Sequence, residues 1–370
     1  LPAIRGSAKV ASVTAEAEIL GAASRASGLE LADPTLIRRG PRNLVFQCRI
    51  AGSNPSREVI VKAAHGAQDL LATEASALRL LGKNARTSQW IPRLLRYDPA
   101  ARLLVTESVG PARSLEELLH GTDRTAVQQA LAATAHSLAE LHALTSRLDE
   151  RTASTLAADQ AAAFSKGLPA IADFFSRAGV VLTEPAVAEL HSIAEGVAHP
   201  QEKLAFTVGD MAPSNVLITG SGPVFIDFEY AGFRHAFYDA VFWRCICPFP
   251  ATIATSMDEA YQQGWSDAGS AMTHAVFTES MALMTAHRAL WALTWGTHAL
   301  WAADSEWAPR VGGRLLVRRW LRGFHTLASK GKTFRQLARA VHDLDDALGG
   351  HWPETQNTKG LFPALEVNGG

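Results

Sequence analysis

Residues 204–228 constrain this chain most. Three short apolar runs in this stretch, 204–208, 216–219 and 223–228, read as strands, and Gly220-Ser221-Gly222 makes a tight turn between the last two. Helical patterns lie on both sides: 127–144 and the Ala-rich 151–200 before it, and the Trp-rich 238–348 after it. The island is a small β element set in a helical body. Its polar punctuation is sparse: Asp210 in the loop after the first run, Asn215 five positions on, and Asp227 closing the last run in Phe225-Ile226-Asp227-Phe228.

A loop Asp, a nearby Asn and an Asp at a strand end form a divalent-metal and general-base constellation. Mg²⁺ takes oxygen ligands and keeps several waters, so one amide and one carboxylate suffice when nucleotide phosphates complete the shell. A second carboxylate then orients an incoming hydroxyl and accepts its proton. Each of the three residues alone is an ordinary turn former. Their order and spacing together favour the chemistry.

The N-terminal third has the other β pattern. Residues 44–50 and 58–62 read as strands turning at Gly52, Asn54 and Pro55. A helical run with Leu70, Leu71, Glu74, Leu78 and Leu81 ends at Gly82, and strands at 93–97 and 102–107 follow, joined at Asp98-Pro99. Lys62 ends the apolar run Val59-Ile60-Val61, with Glu74 twelve residues on in the helix. A strand Lys paired to a helix Glu is the device that fixes α- and β-phosphates in kinases, against the plain alternative of a solvated strand end. Arg39-Gly40-Pro41-Arg42-Asn43 separates two β-like segments and reads as a phosphate-covering loop or an ordinary turn, since it lacks the G-x-G-x-x-G form. Residues 1–30 are Ala/Ser/Gly-rich and weakly periodic, a poorly defined extension. The expected organisation is a nucleotide-binding lobe over 1–109, a hinge near Ser108, and a helical lobe over 110–370 carrying the catalytic island at 204–229.

Composition bounds the rest. The 370 residues allow two or three domains, and 47% hydrophobic against 19% charged residues excludes a largely disordered chain. A formal net charge of -1 argues against a general nucleic-acid binder. Cys48, Cys245 and Cys247 cannot make a disulfide framework or a four-ligand zinc site. No charged-then-apolar signal pattern opens the chain, and reduced thiols fit a cytoplasmic protein. The most apolar stretch, 289–303, is too short to span a bilayer and reads as a buried core helix.

At this point the sequence resembles the aminoglycoside phosphotransferase/choline kinase-like family, part of the protein-kinase-like fold. The family's HGDxxxxN segment corresponds to Val208-Gly209-Asp210-Met211-Ala212-Pro213-Ser214-Asn215, and its I-D-F/W-E strand end to Ile226-Asp227-Phe228-Glu229. Tyr238-Asp239-Ala240 resembles its later Y-D-hydrophobic segment, and Leu138-Ala139-Glu140-Leu141-His142-Ala143-Leu144 its L-A-x-L-H-x-L helix end. The resemblance covers roughly residues 30–245. It implies a bilobal α+β fold with a small β-rich N-lobe and a larger, mostly helical C-lobe. It implies a kinase using ATP or GTP with Mg²⁺, transferring the γ-phosphoryl group to a hydroxyl of a small polar molecule. Asp210 would be the base, and Asn215 and Asp227 the metal ligands. Lys62, oriented by Glu74, would hold phosphates beneath the loop at Asn43, and backbone groups from Glu107 to Val109 would receive the purine edge. Asp239 would support the catalytic loop, and Glu229 would touch substrate or metal. Val208 replaces the family's His, which braces that loop, so altered activity is one implication.

The acceptor is read from the C-terminal third. Trp291 and Trp295, four apart, are placed on one helix face as an aromatic wall for a cation, against plain core packing. Asp304 and Glu306 beside Trp301 and Trp307 would add acceptors, and His274, His287 and His298 read as packed or solvated. Arg314, Arg318, Arg319 and Arg322 recur on one helical face and read as solvated surface; lining a cleft, they would favour an anionic substrate. An aminoglycoside-like antibiotic or natural product leads, then choline or another amino alcohol, then a sugar or nucleoside. A non-catalytic nucleotide-binding module and a metal-dependent hydrolase are the readings from other classes. Neither nucleic acid nor membrane is expected as a partner, and the sequence leaves the oligomeric state open.

Overall fold

The computed structural model describes residues 13–365 except 54–56, 66–69, 149–155, 158–159, 248, 296, 298, 309–310, 332 and 357–361. Asn54, Pro55 and His298 therefore lie outside the described residues, as do the first twelve. In chain order the elements begin with α1 (Val13–Ser27), β1 (Leu31–Arg39), β2 (Asn43–Ile50), β3 (Glu58–Ala64), α2 (Leu71–Leu81), β4 (Leu94–Asp98), β5 (Leu103–Glu107) and β6 (Arg113–Ser114). Then come α3 (Leu115–Leu119), α4 (Arg124–Thr145), α5 (Gln160–Arg177), α6 (Glu184–Ala198), β7 (Leu204–Thr207), β8 (Val216–Thr219), β9 (Gly222–Phe225) and β10 (Gly232–His235). The chain ends with α7 (Phe237–Ala240), α8 (Ala251–Asp267), α9 (His274–Ala292), α10 (Ala299–Ala302), β11 (Glu306–Ala308), β12 (Val311–Gly312), α11 (Gly313–Gly331) and α12 (Arg335–His351). No helix among the described residues is long and apolar enough to cross a membrane.

The chain divides into two units. The β-rich one comprises Ala3–Glu117 with Val208–Gly232. Its main sheet runs β1-β2-β3-β5-β4, each neighbouring pair antiparallel. Side chains alternate across a strand, so Val59, Val61 and Ala63 share one face of β3. That face forms a core with Leu44, Phe46, Cys48, Leu103 and Val105. The weakly periodic N-terminal stretch contributes here: α1 lays Ile19, Leu20 and Ala23 on this core. Its small residues blur the helical pattern, and tertiary packing supplies the stability that propensity alone does not. A second sheet, β6-β8-β9, belongs to the same unit.

The helical unit comprises Leu118–Thr207 with Phe233–Gly370. Asp123 caps α4, its side chain accepting from Ala126 N–H, and α4 packs along α8. The approach is close, for a Cβ on Gly264 would lie 2.4 Å from the His136 carbonyl oxygen. The strand at the start of the island, β7, pairs with β10 and leaves β8 and β9 to the other sheet. Residues 289–303 do not make the single helix expected of them. The helix α9 stops at Ala292, Leu293, Thr294 and Trp295 close turns onto Leu290, Trp291 and Ala292, and α10 begins at Ala299. The interruption falls at the Leu293-Thr294-Trp295 step, where Thr294 and Thr297 hydroxyls return to backbone carbonyls of Trp291 and Leu293.

Candidate functional site

The site grows from β3. Alternation sends Lys62 to the face opposite Val61, between its register neighbours Val45 and Leu104. There α2 presents Glu74, 2% exposed. Lys62 Nζ donates to Glu74 Oε1 at 2.7 Å and Oε2 at 2.9 Å, and to Asp227 Oδ1 at 3.1 Å. The Phe228 N–H, one residue past Asp227, also bonds the Glu74 carboxylate. A charge taken this far from water is tolerated only with partners, and Lys62 has two. Burial alone lowers an ammonium pKa, but Glu74 and Asp227 more than reverse it for Lys62.

Asp227 and Asn215 meet at the open end of one hairpin. Val216 pairs with Phe225 and the Ile226 N–H donates to the Asn215 carbonyl at 3.0 Å. Asp227 follows at φ 65, a left-handed conformation that Asp adopts more readily than most side chains. On the other side Asn215 Nδ2 donates to the Asp210 carbonyl at 3.1 Å, and the Ala212 N–H donates to Asp210 Oδ1 at 3.3 Å. Gly209 sits at φ +88, and a Cβ there would lie 2.1 Å from the Tyr230 carbonyl oxygen. Only glycine permits that crossing of the two loops, which accounts for the Gly before Asp210 in the motif. Val208 is fully buried.

Arginines from the end of β1 and the β1–β2 turn complete the cluster. Arg38 Nη1 donates to Asp227 Oδ2 at 3.3 Å. Arg42 pairs with Glu229, bonds the Tyr230 hydroxyl, and lies 5.2 Å from the centre of that ring. Burial works to raise the Asp227 pKa, but Lys62, Arg38 and Arg42 outweigh it and hold the carboxyl below its ordinary range. Glu229, 8% exposed, goes the other way: burial and the charge of Asp227 raise its pKa against Arg42. Arg42 lies in the segment expected to cover phosphates, whereas Arg38 falls outside it; three arginines within Arg38–Arg42 are the sequence signal for both.

Other expected site residues make contacts of their own. The Asn43 carbonyl accepts from the Gly40 N–H at 2.9 Å, closing the β1–β2 turn. The Glu107 side chain is committed to Arg57 and Arg93, its backbone N–H donates to Arg93, and the Ser108 N–H donates to Glu58. Val109 makes no hydrogen bond among the described residues. Asp239, Trp291 and Trp295 belong to the helical unit. There His142 Nε2 lies 3.3 Å from Asp239 Oδ2 and Nδ1 lies 2.7 Å from the Tyr261 hydroxyl. Trp291 and Trp295 do not share a helix face, because α9 ends between them. Trp291 packs on α5, where a Cβ on Gly167 would lie 2.9 Å from its ring, and Trp295 stacks edge-on against Trp320. The arginine face of α11 is solvated only in part: Arg322 is exposed as expected, but Arg318 is packed away from water. Arg318, 4% exposed, holds Asp345 of α12 at 2.7 Å, Arg322 shares that carboxylate, and Arg314 pairs with Glu354.

The donor set fits Mg²⁺. Asn215 Oδ1 is buried with no hydrogen-bond partner among the described residues, and Asp227 supplies a carboxylate at the same hairpin end. These are hard oxygen donors, two in number, as suits an ion that takes the rest of its shell from water and phosphate. Among the described residues no group of three or more His, Cys, Asp or Glu side chains is gathered for a metal. The arrangement therefore offers a buried cation, an orphaned amide oxygen and two carboxylates of distinct surroundings in one β-rich unit.

The family model described as "APH: Phosphotransferase enzyme family" matches residues 34–275. Among solved structures, choline kinase LicA from Streptococcus pneumoniae is 18% identical, with a TM-score of 0.54 over 85% of this chain and 99% of that one. A macrolide 2'-phosphotransferase from Brachybacterium faecium is 16% identical, with a TM-score of 0.51 over 76% and 93%. A streptomycin-ATP-APH(2")-IIa ternary complex is 12% identical, with a TM-score of 0.53 over 78% and 94%. At these identities the structures show the shared bilobal, kinase-like fold. A search of curated protein sequences found no match. The family model spans well over half of the chain, and on that ground the chain belongs to the phosphotransferase enzyme family and is a small-molecule kinase.

Proposed function

We propose that this kinase moves the γ-phosphoryl group of ATP or GTP to a hydroxyl of a small polar natural product, in the cytoplasm. The observation that carries this reading is Lys62 Nζ held between Glu74 and Asp227. Phosphoryl transfer asks little covalent work of a protein; it needs charge neutralised and reactants aligned. Lys62, fixed by Glu74, receives nucleotide phosphates. Asn215 Oδ1 and the Asp227 carboxylate hold Mg²⁺, which when bound neutralises phosphate charge. Arg38 and Arg42 stand ready to exchange their carboxylates for phosphate oxygens, and the Val109 N–H is open to a purine edge. Asp210 orients the acceptor hydroxyl and accepts its proton.

The acceptor class draws support from the proteins of like fold, whose names specify choline, macrolides and streptomycin. The test is incubation with ATP or GTP, Mg²⁺ and a pooled library of hydroxyl compounds, read by mass spectrometry for gain of one phosphoryl group. Asp210→Ala is expected to abolish the product while nucleotide still binds. Nucleotide binding with no product from any acceptor would mark a non-catalytic module. Nucleotide-independent hydrolysis of a library compound would mark a hydrolase.

A further inference from the structure

In the helical unit two arginines lie buried against a single tyrosine. Arg288 of α9 is 7% exposed, with its guanidinium carbon 4.0 Å from the centre of the Tyr238 ring and 5.4 Å from that of Trp295. It makes no ion pair or hydrogen bond among the described residues, and its Nε is enclosed without a partner. Arg234 of β10, 8% exposed, donates to the Tyr238 hydroxyl and lies 4.7 Å from the same ring centre. Burial lowers the Arg234 pKa, and the charge of Arg288 adds to that effect against Tyr238 and Asp239.

Aromatic faces offset part of the cost of a buried cation, about 2 kcal/mol for a desolvated one, which is less than the several kcal/mol that desolvating a charge costs. Among the described residues no carboxylate pairs with Arg288. The carboxylate that acts on Arg234, Asp239, faces His142 at 3.3 Å. His287, beside Arg288, has both ring nitrogens without partners, and burial with the Arg288 charge holds it neutral. Elsewhere in this unit a buried arginine does have its carboxylate: Arg318 holds Asp345.

We propose that Arg288, with Arg234 across Tyr238, forms an oxyanion-binding site that takes a carboxylate or phosphate-monoester group. A guanidinium fork with unspent donors matches the paired oxygens of such groups. The same place repels a cation, so an ammonium group does not bind there. The site rests on the helical unit alone and goes beyond the nucleotide chemistry assigned to the β-rich unit. The oxyanion is carried on the acceptor or arrives as a free ion.

Thermal melting in low-salt buffer, titrated with inorganic phosphate and with citrate at constant ionic strength, tests it. Wild type is expected to show a saturable rise in Tm. Arg288→Gln is expected to weaken that response at least tenfold, and Arg288→Lys, which keeps the charge but loses the fork, to fall between. An equal response in wild type and Arg288→Gln, as phosphate at a nucleotide site would give, overturns the proposal. So does a wild type that does not respond. Arg288→Met guards against a merely structural role: before anion is added it should melt no lower than wild type, and a lower Tm with lost helical circular dichroism would make Arg288 a packing residue. Hydroxy acids and sugar phosphates then identify the source. Phosphorylation of these, with a KM raised by Arg288→Gln and an unchanged nucleotide KM, assigns the oxyanion to the acceptor. A Tm response without their phosphorylation assigns it to a free ion.

Discussion

Lys62 and Arg288 are both cations taken almost wholly out of water, and the two units neutralise them in opposite ways. In the β-rich unit Lys62 has two carboxylates within 3.1 Å, and Arg38 and Arg42 add further pairs around Asp227 and Glu229. In the helical unit Arg288 has, among the described residues, only the faces of Tyr238 and Trp295. A closed charge network is satisfied before anything binds, and under the proposed function it meets a phosphate with cations already positioned. An open one carries a standing desolvation cost that a bound anion removes. Burial alone does not distinguish the two; the inventory of partners does.

The largest expected effect lies in the β-rich unit's chemistry. Asp210→Asn should lower kcat by about 10²–10⁴-fold with nucleotide affinity nearly unchanged, measured by steady-state kinetics and calorimetry. Lys62→Met against Arg288→Met tests the comparison most directly. Loss of Lys62 leaves the buried Glu74 without its cation, beside an Asp227 that keeps only Arg38 as an ion-pair partner among the described residues, a cost of about 3–5 kcal/mol in urea unfolding. Loss of Arg288 should cost little, and equal losses would erase the distinction drawn here.

Acid should separate the units next. Burial pushes His235 and His287 down to about 3 from 6.5. Between those values the unfolded chain takes up protons that the folded chain refuses, so stability falls as pH drops, by roughly 1 kcal/mol per pH unit for each. Asp227, with its pKa lowered, gives stability that is present above the ordinary Asp value and lost only as pH falls through its lowered one. Mild acid should therefore open the helical unit first, visible in hydrogen exchange, and His287→Leu should flatten the loss. The smallest effect expected is Arg42→Ala, whose side chain is 38% exposed. Stability should change by less than about 1 kcal/mol, and the nucleotide KM should rise a few-fold.

Much of the β-rich site was legible because its signals are local. Lys62 closes an apolar run, Gly209 precedes Asp210 where no Cβ fits, and Asp227 follows a hairpin strand. Periodicity placed each on its element, and spacing linked them. The helical unit was harder to read, since an arginine on a helical repeat looks the same whether it faces water, Asp345 or Tyr238. Trp291 and Trp295 were set on one face by counting residues, but α9 stops between them. The helix α1 was hidden because Ala, Ser and Gly give it too little contrast between faces to show a period.

What the sequence determined alone is the family, the α+β class and the motif that brings Asp210, Asn215 and Asp227 onto neighbouring loops, because each follows from turn chemistry and strand alternation over short spans. The tertiary structure decided which charges are paired. Arg318 found Asp345, and among the described residues Arg288 found only aromatic rings. Pairing of buried charges depends on what neighbouring elements bring within a few ångströms, and no pattern along the chain encodes that distance.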